Sequence, residues 1–162
     1  MILKPDEIVN FAMEIEANGF KFYQGLAEQA ADPEIKNIFR TLAGEEEKHY
    51  QTFDRMLREV LSYAPPEYYM DEVVAYVWSL AGNHMLTGKA GPGEYVDKVK
   101  TPLDAVEMAL AFEKDTLLFF IALKKIVFDE GKKMLDLLID EENQHIKKLL
   151  DMKRRLAGKQ PC

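Results

Sequence analysis

Four stretches of this chain repeat apolar residues in alternating steps of three and four, and each is interrupted near its middle by an acid. In "LIDEENQHIKKLL" and its flanks the row runs Leu135, Leu138, Glu142, His145, Leu149, Met152, Leu156, with a carboxylate and an imidazole where the pattern calls for leucine. The same interruption occurs in Ile35, Phe39, Leu42, Glu46, His49, Phe53, Met56, Val60. It recurs in Val9, Met13, Glu16, Phe20, Tyr23, Ala27, Ala30 and in Leu103, Val106, Leu110, Glu113, Leu117, Phe120. Three-four spacing puts each row on the inward stripe of an amphipathic helix. The chain therefore reads as helices packed seam to seam with six ionisable groups turned inward.

Helix ends are marked by proline, caps and glycine. Asp32 and Pro33 in "ADPE" divide a helix over residues 6–31 from one over 33–63, which "APPE" stops. Thr101 and Pro102 open a third over 102–129, and Gly131 in "FDEGKK" marks the break before a fourth over 132–156. Residues 64–100 form a crossover containing the amphipathic piece "DEVVAYVWSL" and the loop "TGKAGPGEY". The expectation is an all-α single domain over 1–162, a four-helix bundle of two antiparallel hairpins. Its 48% apolar content suffices for one core, and no stretch alternates with period two.

Depth along the bundle adds a second constraint. Glu16 and Glu46 lie fifteen positions either side of residue 31, so at about 1.5 Å rise per residue they stand level. Glu113 and Glu142 have nearly the same separation, and "EIEANGFKFY" and "EEEKHYQTF" match "AFEKDTLLFF" and "DEENQHIKKL", an internal duplication. Four carboxylates and two imidazoles would thus meet at one point. An unpaired buried carboxylate costs several kcal/mol, and no Lys or Arg occupies a seam at that level. Two divalent cations balance four carboxylates. A Glu and a His at i and i+3 point the same way, and oxygen-rich ligation with one nitrogen per metal favours iron, or manganese, over structural zinc.

The remaining polar residues divide by position. Glu14, Glu45, Glu47 and Glu141 fall off the seams and are expected to face water. His84, in "GNHMLTG", has no acidic partner at helical spacing and is expected to be exposed. Tyr23 sits on a seam two turns from Glu16, where the other half carries Phe120; it either fills core or bonds a ligating carboxylate through its hydroxyl. Cys162 is the single cysteine, which excludes an internal disulfide and a Cys-rich zinc or iron-sulfur site. A formal charge of −7 argues against nucleic acid as partner. The absence of an apolar run near the roughly 20 residues of a membrane span, and of a targeting pattern in "MILKPDEIVNF", leads to the expectation of a soluble cytoplasmic protein.

The segments "EIEANGFKFYQGLAEQAADPEIKNIFRTLAGEEEKHYQTF" and "ALAFEKDTLLFF" with "LIDEENQHIKKLLDMKRRL" resemble the ferritin-like superfamily of di-iron carboxylate proteins, and within it rubrerythrin-like proteins. The resemblance covers all four helices and not the crossover. It implies a ferritin-like bundle with two iron ions, Glu16 and Glu113 as terminal ligands, Glu46 and Glu142 as bridging ligands, and His49 and His145 as one nitrogen ligand per iron. It also implies reduction of a small oxidant, peroxide or dioxygen. Full-length rubrerythrins carry a rubredoxin domain with paired Cys-x-x-Cys motifs; here a separate electron-donor protein is expected instead. Rubrerythrins also place an extra Glu where this chain has Thr116, so the six-ligand set is closer to that of bacterioferritins. A ferroxidase or iron-handling role, or a bundle whose metals are purely structural, are the alternatives, and a homodimer is expected rather than a cage.

Overall fold

Each long helix begins where the sequence supplies a proline or an acid. The computed structural model describes residues 5–60, 71–87, 91–125, 127 and 129–158. It contains α1 (Pro5–Gln29), α2 (Pro33–Val60), α3 (Asp71–Asn83), α4 (Pro92–Asp97), α5 (Pro102–Leu123) and α6 (Asp129–Gly158), with no strand among the described residues. Asp32 Oδ1 accepts the N–H of Glu34 at 2.8 Å and that of Ile35 at 3.3 Å, satisfying donors that a helix start leaves free. At α5, Thr101 Oγ1 accepts from Asp104 N at 3.1 Å while the Asp104 carboxylate accepts from Thr101 N at 2.9 Å, a reciprocal capping box.

The bundle is all-α and ferritin-like in arrangement: α1 packs chiefly on α2 and α5 on α6, and the two hairpins meet through α2 with α6 and α1 with α5. The crossover carries the chain back to the end of the bundle where α1 turns into α2. Val99 to Pro102 and Ala105 line one cleft of about 440 Å³ with Leu26, Gln29, Asp32, Ile35 and Phe39. On the way α3 packs on α5 and α4 on α1. Gly25 permits the second contact, since a Cβ there would stand 2.9 Å from Val96 Cγ2.

Two aromatic layers bracket the middle of the bundle. Toward the α1–α2 turn Tyr23 stacks on Phe39 at 6.1 Å and meets Phe112 edge-on at 5.8 Å. At the other end Phe53 packs on Phe120 at 5.1 Å. All five rings are fully buried, so the level between them is sealed above and below.

Three sequence expectations need correction. The break expected near Gly131 falls earlier: α5 ends at Leu123, α6 begins at Asp129, and Gly131 lies in the first turn of α6. Glycine there serves close approach rather than termination, because a Cβ would sit 2.9 Å from Met56 Cε. The loop "TGKAGPGEY" contains the start of α4, for which Pro92 supplies the first residue. Outer ends also shift: α1 stops at Gln29 and α6 continues to Gly158. The expected end of the second helix at 63, the "APPE" stop and Cys162 lie outside the described residues.

Candidate metal centre

The structure brings all six interrupting residues together. Glu16, Glu46, Glu113 and Glu142 are 0% exposed and His49 and His145 are 1% exposed, so each helix of the bundle contributes to one dry cluster. Ligand-capable atoms fall into two groups, each within 4.8 Å: Glu16, Glu46, His49 and Glu142 in one, Glu46, Glu113, Glu142 and His145 in the other. Glu46 and Glu142 belong to both. The two imidazoles lie nearly parallel, with centroids 5.5 Å apart and planes at 14°, as a pseudo-twofold between the hairpins would place them.

Inward-facing nitrogens approach the carboxylates without bonding them. His49 Nδ1 is 2.9 Å from Glu142 Oε1 and 3.5 Å from Glu16 Oε2; His145 Nδ1 is 3.3–3.4 Å from Glu46, Glu113 and Glu142. Yet both Nδ1 atoms, and every oxygen of Glu16, Glu46 and Glu142, lack an aligned hydrogen-bond partner. Buried polar atoms that converge without bonding one another are a cost to the fold unless a shared cation sits among them. The donor set suits a divalent metal: hard oxygens with one imidazole nitrogen per group, and no thiolate.

Without metal the same cluster takes up protons instead. Burial, then the Glu46 charge, raises Glu16 well above the usual carboxylate range. Burial and Glu142 do the same to Glu113. Burial would depress His49, but the carboxylates of Glu142 and Glu16 outweigh it and carry the imidazole up to about 12. Tyr23, held neutral by burial and the Glu113 charge, donates its hydroxyl to Glu113 Oε1, so it both fills core and fixes a cluster carboxylate.

Of the acids expected to face water, Glu141 does so and Glu45 is half-buried, and both also orient the histidines. His49 Nε2–H donates to Glu141 Oε2 at 2.7 Å, and His145 Nε2 lies 3.0 Å from Glu45 Oε2. Each histidine is thus held by the acid that precedes the shared carboxylate of the opposite hairpin, leaving Nδ1 to face inward. Glu141 is 59% exposed, whereas Glu45 is 29% exposed and also pairs with Lys148 at 2.9 Å. The bond with His145, reinforced by Lys148, holds Glu45 down at about 2. Exchanging Glu45 for alanine is expected to weaken metal binding about 10–100-fold; unchanged affinity in chelator competition would show the outer acid to be idle. Glu14 and Glu47 do face solvent. His84, expected exposed, is 4% exposed, because the crossover turn folds onto α1 and α5 and its Nε2 meets Thr116 Oγ1 at 3.1 Å.

Gly19 leaves room for the cluster. A Cβ at this position would lie 2.6 Å from Phe112 Cζ and 3.1 Å from Glu46 Oε2. Gly19→Ala should therefore destabilise the fold by about 1–3 kcal/mol in denaturant titration; a variant as stable as the parent would mean that Phe112 repacks freely.

A sequence model of the Rubrerythrin family matches residues 7–81, the span that contains Glu16, Glu46 and His49. A solved structure from Thermotoga maritima, described as a ferritin-like diiron-carboxylate protein, superposes with a TM-score of 0.67 at 28% identity, covering 94% of this chain and 95% of that one. This chain has a ferritin-like fold and resembles rubrerythrins over residues 7–81. No curated protein matches it. Glu113, Glu142 and His145 lie beyond the matched span, and the internal duplication places them opposite the first three.

Proposed function

We propose that this protein is a non-haem di-iron redox protein that reduces peroxide or dioxygen at a carboxylate-bridged metal pair, with electrons from a separate donor protein. The observation that carries this reading is the membership of Glu46 and Glu142 in both donor groups. Glu16, Glu46, His49 and Glu142 would hold one ion, and Glu46, Glu113, Glu142 and His145 the other. Two bound iron ions, with manganese as the alternative, would supply the electron pair that cleaves an O–O bond.

The chain's own groups do the rest. Glu45 and Glu141 commit both Nε2 atoms, so each histidine offers Nδ1. Tyr23 engages one oxygen of Glu113 and leaves the other free. The aromatic layers exclude bulk water, which strengthens every electrostatic contact inside. One cysteine cannot hold an iron-sulfur or rubredoxin-type centre, which supports an external donor. Among the described residues no helix is long and apolar enough to cross a membrane; the reading takes the protein as a cytoplasmic homodimer that does not bind nucleic acid.

Mixing the anaerobically reduced, iron-loaded protein with hydrogen peroxide tests the reading. Stoichiometric peroxide loss is expected, with turnover only when a reductase and donor are supplied; inertness to both peroxide and dioxygen would sink it. Thr116 favours a second reading, ferroxidase or iron handling, because rubrerythrins carry a further carboxylate at that place. Continued oxidation of excess ferrous iron, with iron leaving the site, would select that reading.

A further inference from the structure

The α1–α5 side of the cluster is closed by a turn of the crossover that two bonds hold down. Asn18 Nδ2 donates to Leu86 O at 2.9 Å, and the His84 ring meets Thr116 Oγ1 at 3.1 Å. Asn18 is two residues beyond Glu16 and Thr116 three beyond Glu113, so the turn is anchored within one helical turn of both ligands.

This turn settles which way the hydrogen bonds run. His84 Nδ1 accepts the Leu86 N–H at 3.3 Å, so the ring hydrogen is on Nε2 and donates to Thr116 Oγ1. Burial, which pulls the imidazole down to about 4, keeps the ring neutral. A threonine hydroxyl that receives a hydrogen bond still has its own proton to give. Thr41 and Thr52 give theirs to the carbonyl four residues back, at 3.0 Å each; Thr116 does not make that bond.

Elimination then isolates one donor. Tyr23 gives its proton to Glu113, His49 gives its Nε2–H to Glu141, and His145 holds Glu45 through Nε2. With metal bound, the cluster would otherwise present only acceptors and metal-ligating atoms. Among the described residues, the proton of Thr116, a residue that is 0% exposed, is the one beside the cluster not already given to a protein acceptor.

We propose that the Thr116 hydroxyl is the hydrogen-bond donor met by a small anionic ligand that binds at the metal pair, and that His84 is the positioning residue that fixes its direction. The proposal rests on the di-metal reading and assigns that site its ligand-facing donor.

Azide is the probe. Titration of the oxidised, iron-loaded protein, followed by absorbance, is expected to show about tenfold weaker azide binding in Thr116→Val with both metal ions retained, and recovery in Thr116→Ser. His84→Leu should weaken azide in the same direction, while His84→Gln, whose amide can still donate to Thr116, should restore it. Affinities of Thr116→Val and His84→Leu within twofold of the parent overturn the role. Independently of iron, the nitrogen-15 spectrum of zinc-loaded protein is expected to show His84 protonated at Nε2; protonation at Nδ1 overturns the role. A parent protein that takes up no metal overturns the di-metal reading and this role together. One that binds metal and azide but is indifferent to Thr116→Val overturns this role alone.

Discussion

Glu142→Gln is expected to leave a folded bundle that binds almost no metal, whereas Glu16→Gln should retain about one ion of two. The difference follows from geometry. Glu142 belongs to both donor groups and approaches His49 Nδ1 at 2.9 Å and His145 Nδ1 at 3.3 Å, while Glu16 belongs to one group only. Glutamine preserves the volume but removes a charge and replaces one acceptor oxygen with an NH2 that repels a cation. Folding should survive, because the apolar seams and aromatic layers above and below are untouched. Elemental analysis after purification without added metal, paired with a thermal melt, reads both consequences. Equal metal content in the two variants would show that Glu142 is not shared.

The core of the site is legible in the sequence because helices impose a period and buried charge violates it. Glu16, Glu46, Glu113 and Glu142 each break an apolar row, and two of the rows add a histidine three residues on. The outer acids were hidden because no single helix relates Glu45 to His145 or Glu141 to His49; only the packing of α2 on α6 does. A signal was present nonetheless. In both halves the shared acid is directly preceded by another, Glu45–Glu46 and Glu141–Glu142, and a duplicated pair of that kind marks more than a solvated face. His84 had no such signal, since its burial depends on Asn18 and Thr116, which come from two other helices. Gly131 misled for a simpler reason: glycine ends helices and also lets them approach, and only the neighbouring Met56 decides which.

The pH dependence of folding stability should change sign when metal binds. Without metal, Glu16, Glu113, His49 and His145 all bind protons more tightly in the folded chain than in the unfolded one. Burial drives the two carboxylates up, and for the imidazoles the surrounding carboxylates overcome the opposing effect of burial. A raised value contributes stability that is complete below the unfolded value and is lost as pH rises, from 4.5 for the carboxylates and from 6.5 for the imidazoles, His49 releasing its proton only near 12. Glu142 opposes this trend: burial would raise it, but Glu113, His145 and His49 hold it low. Glu45, held at about 2 by His145, opposes it too. Both of these contribute stability above 4.5 that is lost only as pH falls through their low folded values, below the window concerned. Metal-free stability should therefore fall as pH rises above about 5, by about 1.4 kcal/mol per unit for each proton retained only by the folded chain. Metal-loaded protein must keep the same ligands deprotonated, so between about pH 5 and 6.5 it is the unfolded histidines that hold the extra protons, and stability should rise with pH. Above about pH 7 the loaded slope should flatten, and metal uptake should release protons. Denaturant midpoints from about pH 5.5 to 8.5, with excess chelator and with metal, measure both slopes. Parallel slopes would mean that protons and metal ions do not compete for these six side chains, and the shared-cation account of the cluster would fail with them.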